Sequence, residues 1–168
     1  DAHALQTLFH RLATAPAFAI DTETTGLDKI ADIPIGVSFS MAKGEAFYLP
    51  LHSRHLTGMA PSEAKEALRQ LLGDSPAAKI GHNVKFDLQM LANINVWMRG
   101  PFRDTMLAAY LLNPISRDYS LDAACMEAFS YAKIPTSRIF DAAGTKQMLD
   151  ALTNTCKTTR IAGKNKSD

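Results

Sequence analysis

Phe18-Ala-Ile-Asp21-Thr-Glu23-Thr-Thr-Gly-Leu27 is a short apolar run that ends in two carboxylates one residue apart. Side chains on a β-strand alternate between faces, so Asp21 and Glu23 share one face with Cα atoms roughly 6.5–7 Å apart, a geometry that suits a shared cation. Ala17 to Ile20 reads as buried strand, and Thr24, Thr25, Gly26 and Asp28 are turn formers, so the acids sit where a strand leaves the core. From this segment alone a solvated strand end and a cation site are both open, because so short a pattern arises by chance in a chain with 17 acidic residues.

Upstream, Leu5, Leu8, Phe9 and Leu12 recur at helical spacing before Pro16, which predicts an amphipathic helix near 3–14. Downstream, Ile35 to Ser40 and Ala46 to Leu51 read as strands separated by Lys43-Gly44, giving with the first strand an antiparallel meander. Pro61-Ser62 opens a helix with Ala64, Ala67, Leu68, Leu71 and Leu72 on one face and Ser62 as its expected N-cap. A short strand over Ala78 to Gly81 leads to a helix over Val84 to Ala92. Phe102-Arg-Asp104 introduces an apolar Met106 to Leu112, which is stopped by Asn113-Pro114, and Ser120 caps a helix through about Ala128. This order predicts an α/β fold: a mixed sheet, three antiparallel strands plus parallel ones, flanked by helices.

The chain has 168 residues, 46% of them hydrophobic, enough for one core of ordinary size. A net charge of +1 excludes a global basic field, although a local patch remains compatible with it. Cys125 and Cys156 lack metal-ligand spacing and disulfide density, which suits a reducing compartment. No apolar run approaches the ~18 residues of a membrane span, and the N-terminus lacks a signal-peptide pattern, so a cytoplasmic protein without membrane contact is expected, with an organelle also open. A chain that begins at Asp1 rather than Met is expected to be a processed form or an excised piece. The domain is expected over 1–150, with 151–168 a polar, basic, flexible tail.

A second constellation lies in Lys79-Ile-Gly-His82-Asn83-Val-Lys85-Phe86-Asp87, which puts Asn83 and Asp87 four residues apart on one face at the start of a helix. Together with Asp21-x-Glu23 it resembles the proofreading 3′–5′ exonuclease domain of bacterial DNA polymerase I, a DEDD-group nuclease with a ribonuclease-H-like fold. Phe18-Ala-Ile-Asp-Thr-Glu-Thr looks like the family's first motif and Gly81-His-Asn-Val-Lys-Phe-Asp87 like its second. Met90-Leu-Ala-Asn, Arg103-Asp104-Thr-Met-Leu-Ala-Ala-Tyr110-Leu-Leu-Asn113 and Ser120-Leu-Asp resemble connecting segments. The resemblance covers residues from about 3 to 130 and favours polymerase I over ribonuclease D.

The resemblance implies hydrolysis of phosphodiester bonds at a single-stranded DNA 3′ end, with a polymerase domain as a partner in cis or in trans and a nucleoid-associated place of action. It also implies two Mg²⁺ or Mn²⁺ ions, about 3.5–4 Å apart in such sites. Asp21 would bridge both, Glu23 would bind the nucleophile-side ion and Asp87 the second through water, and hard cations prefer such oxygen donors. Leu27 matches a leucine that wedges against terminal bases, with packing at a turn the other reading. Thr24 matches a residue near the terminal nucleotide. Asn83 matches a substrate contact, with a helix cap the other reading. Asp104 reads as an N-cap, His82 as structural, Phe86 as core, and Lys79, Lys85 and Arg103 as solvated unless they meet phosphate.

The family's third motif, Tyr-x3-Asp, is absent: Tyr110, Tyr119 and Tyr131 lead to Pro114, Ala123 and Pro135, and Asp150 and Asp168 have Lys146 and Lys164 at the tyrosine position. A chain ending before that motif, an acid supplied differently, and an inactive module are three explanations, and a ribonuclease-D-like RNA trimmer is a further alternative. A helix over Gly144 to Leu152 is the best reading of the ambiguous stretch after Pro135.

Overall fold

The computed structural model describes residues 2–51 and 60–134. The elements run α1 (Ala2–Thr14), β1 (Ala17–Thr24), β2 (Pro34–Ser40), β3 (Phe47–Pro50), α2 (Pro61–Asp74), β4 (Ala78–Gly81), α3 (Val84–Ala92), β5 (Phe102–Asp104), α4 (Thr105–Leu112) and α5 (Leu121–Phe129). The five strands form one sheet in the order β3-β2-β1-β4-β5. β1–β2 and β2–β3 are antiparallel, whereas β4 and β5 join in parallel, which gives the expected meander-plus-parallel, ribonuclease-H-like sheet.

Alternation along β1 explains how the sheet is covered. Phe18, Ile20 and Thr22 are buried, while Ala19, Asp21 and Glu23 are exposed. The buried row continues through Val37, Phe39 and Leu49 and packs with Leu5, Leu8 and Leu12 of α1, Leu68 and Leu72 of α2, and Val84 and Leu91 of α3. Phe39 meets Phe9 and Phe18 edge-on, with ring centroids 6.4 and 6.0 Å apart. Such burial at roughly 25 cal/mol per Å² of apolar surface drives the assembly, and the acid-bearing row is left outside it.

Three expectations change. Thr24, read as a turn former, is the last residue of β1, so the strand extends one residue past Glu23. Ser62 does not cap α2: the helix starts at Pro61, whose fixed φ suits that place, and the Glu63 side chain accepts from the Ala60 amide at 3.0 Å. Phe102–Asp104, read as a lead-in, is a fifth, edge strand paired with β4. It is too short to carry an alternating pattern.

The chain divides into two compact units, Asp1–Ala124 and Cys125–Asp168. In the second, the described residues close α5 with a Ser130 amide bond to the Met126 carbonyl at 3.0 Å. The boundary at 150, the tail, the helix over 144–152, Cys156, Asp150 and Asp168 lie outside the described residues. Among the described residues no helix is long and apolar enough to cross a membrane.

Candidate active site

The open face of β1 presents Asp21 and Glu23 two residues apart, as the alternation predicts. Their cross-strand partners on β2 are Ser38 and Gly36, and the register shifts between Glu23 and Thr24. Such an irregularity re-aims the chain at the strand end. Partial desolvation, then the neighbouring Asp21 charge, holds the Glu23 carboxyl above its ordinary range.

Asp87 reaches β1 from the first turn of α3 and is 2% exposed. Its Oδ1 accepts from the Thr22 amide at 3.0 Å and the Thr22 hydroxyl at 2.7 Å. Burial pushes its carboxyl up to about 6, Asp21 adds to that, and the Thr22 bonds only partly offset it. The second motif therefore does come to the first, joined through Thr22 and through the charge of Asp21.

The junction before α3 is built by a residue from elsewhere. Asn83 is left-handed, with φ at 69°, a conformation that Asn tolerates better than most residues. Although it holds the N-cap place, its side chain makes no capping bond. Asp104 supplies the cap instead: Oδ1 accepts from the amides of Asn83 (3.1 Å), Met106 (2.9 Å) and Leu107 (3.3 Å), and Oδ2 from Val84 (2.9 Å). One carboxylate thus caps α3 and α4 together. Desolvation opposes its ionisation, but the four amides outweigh it and the carboxyl lies below its usual range.

Leu27 is 83% exposed, so turn packing does not hold it. Its loop is held by Asp32, which accepts from the Thr25 hydroxyl at 2.7 Å and the Asp28 amide at 2.8 Å, and by Asn93, whose carboxamide donates to the Lys29 and Asp32 carbonyls at 2.9 and 2.8 Å. Thr24 closes the turn with a 2.7 Å bond to the Gly26 carbonyl. His82 is structural, its ring nitrogens lying 2.9 Å from the Thr105 hydroxyl and 2.8 Å from the Tyr119 carbonyl. Phe86 is half-buried rather than core. Lys79 does not await phosphate: it is fully buried and donates to the Ser75 carbonyl at 2.6 Å. Lys85 and Arg103 are exposed.

Two contributors escaped the sequence reading. Thr22 was hidden between the acids, its only signal a hydroxyl where the covered face of β1 otherwise carries Phe18 and Ile20. Tyr48 leans from β3 over Gly36, filling the space a Cβ there would need. Desolvation, then the Glu23 charge, raises its phenol.

Whether these residues suit divalent cations is a question of donors and charge. The donor set is all carboxylate, which fits Mg²⁺ or Mn²⁺, and burial first, then the Asp21 charge, disfavours ionisation of Glu23 and Asp87. The ion pairs among the described residues, Arg11–Glu45 and Arg69–Glu66, include neither acid. Among the described residues, however, no three His, Cys, Asp or Glu side chains stand close enough to hold a metal ion as they are. The donors fit in kind, and in this arrangement they are not drawn together.

Comparison with known proteins agrees with the geometry. Residues 1–153 match the family model described as 3′-5′ exonuclease. DNA polymerase I of Chloroflexus aurantiacus is 38% identical over 112 residues, 67% of this chain and 12% of the relative, so the chain spans about an eighth of that protein's length. The structure of the POL domain of Pol1 from M. smegmatis in complex with DNA primer-template and dNTP superposes with a TM-score of 0.65 at 23% identity, over 89% of this chain and 26% of that one. Brucella melitensis NrnC with bound Mg²⁺ superposes with a TM-score of 0.59 at 23% identity, over 85% and 74%. At such identities these two structures speak for the fold. With the family match extending over most of its length, the chain belongs to the 3′-5′ exonuclease family.

Proposed function

We propose that this domain hydrolyses phosphodiester bonds at single-stranded DNA 3′ ends, in the manner of a proofreading exonuclease, with Asp21, Glu23 and Asp87 as its cation-holding acids. The observation that carries the reading is Asp87, buried beside Asp21 with its carboxyl pushed up to about 6. Carboxylates whose environments disfavour their charge are concentrated at functional positions, which supports this reading. Mg²⁺ or Mn²⁺ is the expected cofactor, as in the NrnC structure with bound Mg²⁺. When bound, a pair of such ions polarises the scissile phosphate and stabilises the leaving 3′ oxygen.

The chain's own part is to hold and orient. Asp21 and Glu23 take the open face of β1, Asp87 closes the site from α3, and Asn83, Thr24 and Leu27 meet the terminal nucleotides. Leu27 suits this because it stands free of the core on a pinned loop. A polymerase domain, in cis or in trans, is the partner that would deliver the 3′ end. The test is digestion of a 3′-recessed and a single-stranded DNA oligonucleotide, labelled at the 5′ end, with Mg²⁺ or Mn²⁺. Shortening from the 3′ end that chelator and Asp21→Ala abolish is expected, and activity surviving Asp21→Ala would overturn the assignment. An RNA oligomer degraded as fast as DNA would move the reading to an RNA trimmer.

The separation of the acids and the missing Tyr-x3-Asp motif favour one second reading, a catalytically inactive exonuclease-like module that binds DNA or serves a polymerase structurally. Calorimetric titration with Mn²⁺ separates the two. Binding of two ions supports the enzyme, and no binding supports the inactive module.

A further inference from the structure

We infer that Thr22, the residue between the two motif acids, is the positioning residue for Asp87 and selects which of its carboxylate oxygens is offered to a cation. This rests on the proposed cation site. Thr22 is 7% exposed on the covered face of β1, opposite the face that carries Asp21 and Glu23. Its amide and its hydroxyl both donate to the same atom, Asp87 Oδ1, at 3.0 and 2.7 Å. A carboxylate oxygen has two lone-pair sites, so these two donors fill Oδ1, and neither of them engages Oδ2.

Two donors on one oxygen also fix the carboxylate plane. The amide is set by the β1 backbone and the hydroxyl by the stiff χ1 of a β-branched residue, so neither can follow a rotating carboxylate. Oδ2 then lies 3.8 Å from where a Cβ on Gly81 would stand, a place whose other near neighbours are the Val84 side chain and the Ile20 carbonyl. The alternation of the strand thus does two tasks at once. Asp21 and Glu23 go to the open face as ligands, and the residue between them goes to the covered face to aim the third acid.

The chemistry requires a residue with a short side-chain hydroxyl at position 22. Serine keeps the donor, whereas valine keeps shape and branching but removes it. Partners that orient a metal ligand typically contribute 10- to 100-fold in affinity or activity.

The experiment compares Thr22→Val, Thr22→Ser and Asp87→Ala in the full chain, by calorimetric Mn²⁺ titration and by exonuclease kinetics on a DNA oligonucleotide. Thr22→Val should lose about 10-fold in Mn²⁺ affinity and in kcat, with KM for the oligonucleotide within about 2-fold, and Thr22→Ser should restore both to within about 3-fold. A role in packing alone would give no such rescue, because serine is the poorer shape match. If Thr22→Val does not fold by circular dichroism, Thr22→Ala takes its place with the same expected loss. Wild-type affinity in the hydroxyl-free variant overturns the inference and leaves the proposed site standing. Wild-type affinity in Asp87→Ala, or no Mn²⁺ binding by the unsubstituted chain, overturns both.

Discussion

Two carboxylates serve the start of α3, and the chain treats them in opposite ways. Asp104, at the β5–α4 junction, receives four backbone amides, and its charge is welcome despite desolvation. Asp87, inside the helix's first turn, receives its two side-chain bonds on one oxygen from a single neighbour, is nearly closed to water, and faces the charge of Asp21. The difference separates two uses of one residue type. Where the fold satisfies an acid completely, the acid belongs to the scaffold. Where it buries an acid and leaves the charge short of partners, something from outside is needed to complete the site.

The strongest way to break this contrast is to neutralise each acid. Asp87→Asn is expected to lower the exonuclease rate by about 10³-fold, the order seen when a charge-stabilising group is removed from an active site, whereas Asp104→Asn should leave the rate per folded molecule within a few-fold. Single-turnover digestion with Mg²⁺ checks both. Comparable losses in the two variants would erase the distinction between scaffold acid and site acid.

Stability should move the other way. Asp104→Ala leaves four amides without their acceptor, and cap removal together with unsatisfied donors amounts to about 2–4 kcal/mol. Its carboxyl lies below the unfolded value, so the stabilisation is present above the ordinary Asp range near 4 and fades as pH falls through the folded value. Urea unfolding of the variant and the parent should therefore differ most at pH 7, with a gap that narrows in acid, where the protonated carboxyl accepts more weakly.

For Asp87 the sign reverses, with a smaller size. A carboxyl raised to about 6 holds its proton to higher pH in the fold than in the unfolded chain, so its contribution is fully present below about 4 and is lost as pH rises through 6. Asn at position 87 still accepts from Thr22 and carries no charge at any pH. The metal-free Asp87→Asn protein is thus expected to be more stable than the parent by about 1–3 kcal/mol at pH 8 and equal to it at pH 4. Urea midpoints at the two pH values check this, and a destabilised variant at pH 8 would show that Asp87 is scaffold after all.

The sequence made half of this contrast readable. Asp21 and Glu23 on one face follow from strand alternation, and Asp104 before an apolar helix reads as a cap. That Asp104 caps a second helix 20 residues upstream depends on β4 and β5 lying side by side, which no local pattern announces. Thr22 was unreadable for a similar reason, since its partner is 65 residues away. Lys79 misled because a lysine in a strand usually reaches solvent, whereas here the turn after α2 offers it a carbonyl inside the protein. The fold was legible through periodicity, which is local. The site was legible only where its chemistry was local too.

His82 gives the smallest and sharpest test, because it stands one residue before Asn83 and on the scaffold side of the contrast. Its ring lies between the Thr105 hydroxyl and the Tyr119 carbonyl, and Thr105 in turn donates to the Gly81 carbonyl at 3.0 Å, so the imidazole ties the end of β4 to the segment before α5. His82→Ala loses two hydrogen bonds in a partly exposed place, which is expected to lower stability by about 1–2 kcal/mol. Amide exchange over residues 116–120 should quicken, since that segment loses its anchor to the sheet, while the exonuclease rate stays within about 2-fold. A histidine five residues from a proposed cation-holding acid invites a catalytic reading, but both of its nitrogens are engaged with scaffold groups. A 100-fold loss of rate with unchanged exchange would place it in the site and move the line between scaffold and chemistry across the β4–α3 junction.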